Sequence, residues 1–68
     1  TMTYQEKVFS KYPTAYLYWR RSRVEIRRPR EQSDPPALVG YVILSGIHWT
    51  DEEAWKDAAS RLQNLENQ

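Results

Sequence analysis

Cysteine is absent from the 68-residue chain, which excludes a disulfide staple and any thiolate metal site. Apolar runs are short as well. No stretch of about 18 apolar residues exists to span a membrane, and the first residues lack the charged-then-apolar pattern of a secretory signal. Lack of cysteine fits a reducing compartment, so a soluble cytoplasmic protein is the expectation. Glycine occurs twice and histidine once. No G-x-G-x-x-G, Walker loop, H-E-x-x-H or nucleophile elbow is present. Enzyme activity is not expected, nor is a cofactor, a metal or a small-molecule substrate.

The chain does have bulk. Three Trp, five Tyr and one Phe can each bury roughly 150–250 Å². At this length one domain is expected, 1–68, with ends fraying at residues 1–2 and 66–68. Its stability must come from large side chains rather than from cross-links. In so short a chain Trp19, Trp49 and Trp55 are expected in the core.

Charge is balanced in total and uneven in distribution. The net charge is +1. Six arginines between residues 20 and 34 face three acids, whereas residues 51–68 hold five acids against Lys56 and Arg61. The chain is bipolar along its length.

Local patterns place the elements. Thr3-Tyr4-Gln5-Glu6 is a capping box, and Tyr4, Val8 and Tyr12, with Phe9, repeat at helical spacing up to Pro13. A helix over about residues 3–11 follows. From Thr14 the period becomes two. Ala15, Leu17 and Trp19 alternate with Tyr16, Tyr18 and Arg20, then Val24 and Ile26 with Arg23, Glu25 and Arg27. These are two strands, the second with one buried and one solvated face, broken at an uncertain point near Arg21-Ser22. Residues 29–37 read as a loop. Leu38–Ser45, the most hydrophobic run, reads as a third and central strand, with Gly40 marking a bulge or a close backbone approach. Thr50 caps a last helix through a second T-x-x-E box, with Asp51, Glu52 and Glu53 in its first turn. Ala54, Trp55, Ala58, Ala59, Leu62 and Leu65 form its apolar stripe.

The expected fold is α+β in the order α-β-β-β-α, a three-stranded antiparallel sheet with both helices on one face. That order and length resemble the double-stranded-RNA-binding domain. The family holds phosphates with a basic cluster at the start of its last helix. Asp51, Glu52 and Glu53 occupy those positions here, so topology is implied and RNA binding in that mode is not. A second resemblance, to small uncharacterised bacteriophage and prophage proteins, rests on Lys11-Tyr12-Pro13-x-Ala15 and on Ala54-Trp55-Lys56-Asp57-Ala58-Ala59-x-Arg61-Leu62. It implies a setting, the host cytoplasm, and no activity.

One sheet face would remain open, with Tyr16, Tyr18, Arg20, Arg23 and Arg27 as its candidate contact residues. Two readings compete. In the first this surface binds a protein partner or a second copy of the chain. In the second its arginines neutralise DNA or RNA phosphates while tyrosines stack on bases. Alternation divides the six arginines between the two faces, which weakens a single basic patch. Asp51, Glu52 and Glu53 point in different directions on a helix and cannot converge on one ion. Capping explains them.

Overall fold

The computed structural model describes residues 1–36 and 39–66, the last two by backbone alone. Helix α1 spans Tyr4–Lys11, strand β1 Tyr16–Arg20, β2 Arg23–Pro29, β3 Tyr41–Ile43 and helix α2 Asp51–Glu66. The architecture is α+β in the expected order. Within the described residues no helix is long and apolar enough to cross a membrane.

Both helix starts form as their sequences dictate. Thr3 Oγ1 accepts the Glu6 N–H at 3.1 Å while Glu6 reaches back to the Thr3 N–H, a complete capping box. At α2, Thr50 Oγ1 accepts the Glu53 N–H at 3.2 Å. Tyr12 closes α1 with its N–H on the Val8 carbonyl, and Pro13 follows.

The sheet is an antiparallel meander, β1-β2-β3. The hydrophobic run was expected to supply the central strand; β2 is central instead. Short connections favour pairing of consecutive strands, and β2 takes hydrogen bonds on both sides. The third strand is also shorter than the expected 38–45. Residues 39 and 40 bend, and Leu38 lies outside the described residues, as do Ala37, expected to end the loop, and residues 67–68, expected to fray.

Beyond β3 the pairing resumes after a bulge. Arg27 pairs with Ile43 and Val24 with His48, so three steps along β2 face five along its neighbour. Ser45 bridges the irregularity. Its fully buried Oγ accepts the Ile26 N–H at 2.9 Å and donates to the Gly46 carbonyl. The bulge expected at Gly40 is here, at Ser45-Gly46. Nothing lies within 4 Å of a Cβ built on Gly40, whereas one on Gly46 would come within 3.2 Å of Asp57 and Arg61.

The core sits between the helices and one sheet face. Val8, Ala15, Val24, Ile26, Ala54, Trp55, Ala58 and Ala59 are buried together, with Phe9, Tyr12, Leu17 and Leu44 packed around them. Phe9 and Trp55 rings tilt against each other, centroids 5.2 Å apart. The alanine stripe of α2 lets it approach β2 closely, as expected; the Leu65 side chain lies outside the description. Two expected core residues are not there. Trp19 is 55% exposed and Trp49 63%. Trp19 projects to the helix side but from an edge strand, past the end of what the helices cover. Trp49 lies in the link before α2, beyond the core cluster that the helices cover.

Candidate binding surface

Strand pairing settles how the arginine-rich stretch is shared out. Tyr16 pairs with Arg27, Tyr18 with Glu25 and Arg20 with Arg23. Directly paired residues in an antiparallel ladder project to the same side. All five candidate contact residues, Tyr16, Tyr18, Arg20, Arg23 and Arg27, therefore share the open face, away from the helices.

They do not share one environment. Tyr16, Tyr18, Arg20 and Arg23 are exposed, while Arg27 and Glu25 are buried. The solvated second-strand face is thus enclosed at its middle. The Arg27 guanidinium lies 3.6 Å from the Tyr18 ring centroid and 3.9 Å from that of Tyr41, one from each neighbouring strand. Its Nη2 donates to Glu25 Oε1 at 2.6 Å. Burial alone would lower the Arg27 pKa; the hydrogen bond and charge of Glu25 outweigh it and hold the proton more tightly. Arg27 is a strut within the face rather than a contact residue.

Two further arginines are spent internally. Arg28, on the helix side, makes a two-pronged pair with Asp34 at 2.9 and 2.8 Å. Arg28 holds the Asp34 carboxyl well below the usual carboxylate range, assisted by the Glu31 N–H. Arg30 donates to the carbonyls of Val39, Pro35 and Tyr41, clamping the loop that leads into β3.

Arg20, Arg21 and Arg23 remain. Among the described residues none has a carboxylate within ion-pair distance. They surround the β1–β2 turn, whose two residues are Arg21 and Ser22. Arg21 has φ +59°, in the left-handed region, a conformation that costs an L-residue about 1–2 kcal/mol and ordinarily falls to glycine. With Ser22, Ile47 and Trp49 the three arginines line a groove of about 570 Å³. The Arg23 guanidinium sits over the Trp49 ring at 4.6 Å.

Sequence reasoning missed Ile47, Trp49 and Arg21 as members of this surface. Residues 46–50 carry no periodicity that separates an exposed tryptophan from a core one. The mark of Arg21 is a two-residue hairpin loop without glycine or asparagine, which forces some other residue into positive φ.

Behind the groove, His48 is fastened to α2. Its Nε2 lies 2.8 Å from Asp57 Oδ2, which also accepts the Gly46 N–H at 2.8 Å, while Arg61 Nε bonds Asp57 Oδ1 at 3.0 Å. Burial pushes the Asp57 carboxyl up, but His48, Gly46 and Arg61 together bring it down to about 2. This accounts for most of the Ala54–Leu62 motif: Ala54, Trp55, Ala58 and Ala59 are core, and Asp57 and Arg61 anchor the bulge. Among the described residues no three His, Cys, Asp or Glu side chains are grouped to hold a metal ion.

No protein-family model matches the chain, and no curated protein or solved structure matches it.

Proposed function

We propose that this chain is a non-catalytic binding module whose open sheet face and hairpin tip take a protein partner through an acidic segment. The observation that carries it is the groove in which Arg20, Arg21 and Arg23, without carboxylate partners among the described residues, meet Ile47 and Trp49. Tyr, Trp and Arg are the side chains that dominate protein–protein contacts. Ile43 and Ile47, both more than half exposed, add apolar area that phosphate would not use. Three of the six arginines are already neutralised or clamped, and Asp51, Glu52 and Glu53 follow directly on Trp49-Thr50. A long basic track for a nucleic-acid backbone is therefore lacking.

Nucleic acid is the second reading, favoured by one contact. Arg23 braces the Trp49 ring while the residue stays 63% exposed, an arrangement on which a base could stack beside an arginine-bound phosphate. A bacteriophage or prophage setting in a host cytoplasm remains a proposal resting on the two end motifs alone.

The test is fluorescence anisotropy with a labelled acidic peptide bearing one aromatic residue, and with a labelled single-stranded oligonucleotide. The peptide should bind, and Arg20→Glu with Arg23→Glu should weaken it by about tenfold or more, the loss of one charge-assisted contact. Oligonucleotide binding that is tighter and falls steeply with salt moves the conclusion to the second reading. Binding of neither probe removes acidic recognition.

A further inference from the structure

Strand β1 is an edge, and its backbone has a determinable outward set. Arg20 and Arg23 flank a two-residue turn, so they exchange both main-chain bonds. Counting back in twos, Tyr18 and Tyr16 also turn N–H and C=O towards β2. Leu17 and Trp19 therefore point theirs outward. The far side of β2 bears this out. Val24, opposite Trp19, exchanges both of its bonds with His48 at 2.8 and 2.9 Å. Ile26, opposite Leu17, donates to Ser45 Oγ and accepts from the Leu44 N–H. Neither has a backbone group left for β1.

Native edges are blunted by shortness, bulges, proline or charge. The β3 edge is three residues long and followed by the Ser45 bulge. β1 has none of these along Tyr16–Trp19, its only charge being Arg20 at the end. Tyr16, Tyr18 and Trp19 are 38, 39 and 55% exposed, leaving aromatic surface on both sides of an edge that is unpaired among the described residues.

The five residues are also self-complementary. Antiparallel pairing about a two-fold axis at Tyr18 sets Leu17 opposite Trp19 of the other copy, and these are the residues whose main-chain groups face outward. The same register sets Tyr16 opposite Arg20, a cation–π pair of the kind Tyr18 already makes with Arg27. It keeps the two Arg20 side chains at opposite ends. An axis at Leu17 would carry Arg20 past the strand to Thr14, and an axis at Trp19 would leave Tyr16 unpaired.

We propose that a second copy of this chain adds to β1 in that register, joining two three-stranded sheets into one continuous sheet across an isologous dimer. The interface lies along the strand edge; it shares Arg20 with the groove but does not rest on the acidic-segment reading. Sedimentation should show dimer at high micromolar concentration. Tyr16→Lys, which puts like charge opposite Arg20, should raise the dissociation constant about tenfold, and Tyr16→Lys with Arg20→Glu should restore it. In the wild-type chain, hydrogen exchange at the Leu17 and Trp19 amides should slow as concentration rises, while Tyr16 and Tyr18 amides stay protected throughout. A monomer over the whole range, a dimer indifferent to Tyr16→Lys, or exchange at Leu17 and Trp19 that ignores concentration overturns the proposal.

Discussion

The arginines at the two ends of β2 are the same residue put to opposite uses. At the Pro29 end, Arg27, Arg28 and Arg30 hold Glu25, Asp34 and loop carbonyls. At the turn, Arg20, Arg21 and Arg23 hold no acid among the described residues. The difference lies in neighbours. The closed end has strands or loop on both sides to deliver tyrosine rings and acceptors. The turn protrudes beyond them, so its guanidiniums stay in water. Density of arginine in a sequence is thus a poor measure of available charge.

The closed end should break first. Glu25→Ala leaves Arg27 charged, enclosed and unpaired, which should destabilise the fold by about 3 kcal/mol, the low end for a buried pair because only one layer of side chains covers it. For a domain this small that lowers Tm by roughly 12–24 °C, measurable by thermal circular dichroism.

Acid should act next, through depressed carboxyls. The Asp57 pKa is about 2 when folded against an ordinary 3.8. Its contribution is complete above about pH 5 and is lost as pH falls from there through about 2, a loss on the order of 2 kcal/mol. Asp34, depressed by Arg28, is lost in the same direction and at lower pH still. Urea midpoints should fall below about pH 5 and stay flat between about pH 5 and 7 on account of these two groups.

The turn should respond least and with the opposite sign. Arg21→Gly relieves the left-handed strain and should stabilise by about 0.5–1 kcal/mol. Arg20→Ala and Arg23→Ala should each stay within about 0.5 kcal/mol of the parent. A marked loss of stability at any of the three would erase the contrast between the two ends. Stabilisation by Arg21→Gly together with weaker binding of the acidic peptide would sharpen it, since strain kept for contact is strain kept for function.

Much of the fold was legible because its signals are local. Thr3 and Thr50 with their glutamates three residues on, Pro13, and the alternation from Ala15 to Arg27 each act over a few residues. The face shared by Tyr16, Tyr18, Arg20, Arg23 and Arg27 follows from a turn of two residues, which keeps both strands in phase. What was hidden depends on residues far apart in the chain. Arg27 is enclosed by Tyr41, which only the β3 register brings across. Ser45 looks like the end of a strand, not a substitute acceptor for Ile26. Trp19 and Trp49 carry the same composition signal as Trp55 and differ only in what the helices reach.

The contact between α1 and α2 has a kinetic consequence. The β1–β2 hairpin closes across two residues, whereas the helices meet only after about forty intervening residues have been folded back, and closure entropy grows with that length. Closure entropy therefore favours the hairpin forming first, on the microsecond scale typical of hairpins, with the helices expected to cover its inner face afterwards. The edge of β1 is open at that stage, as it is in the folded chain. In the proposed dimer, every copy would therefore offer the same edge both before and after its helices dock.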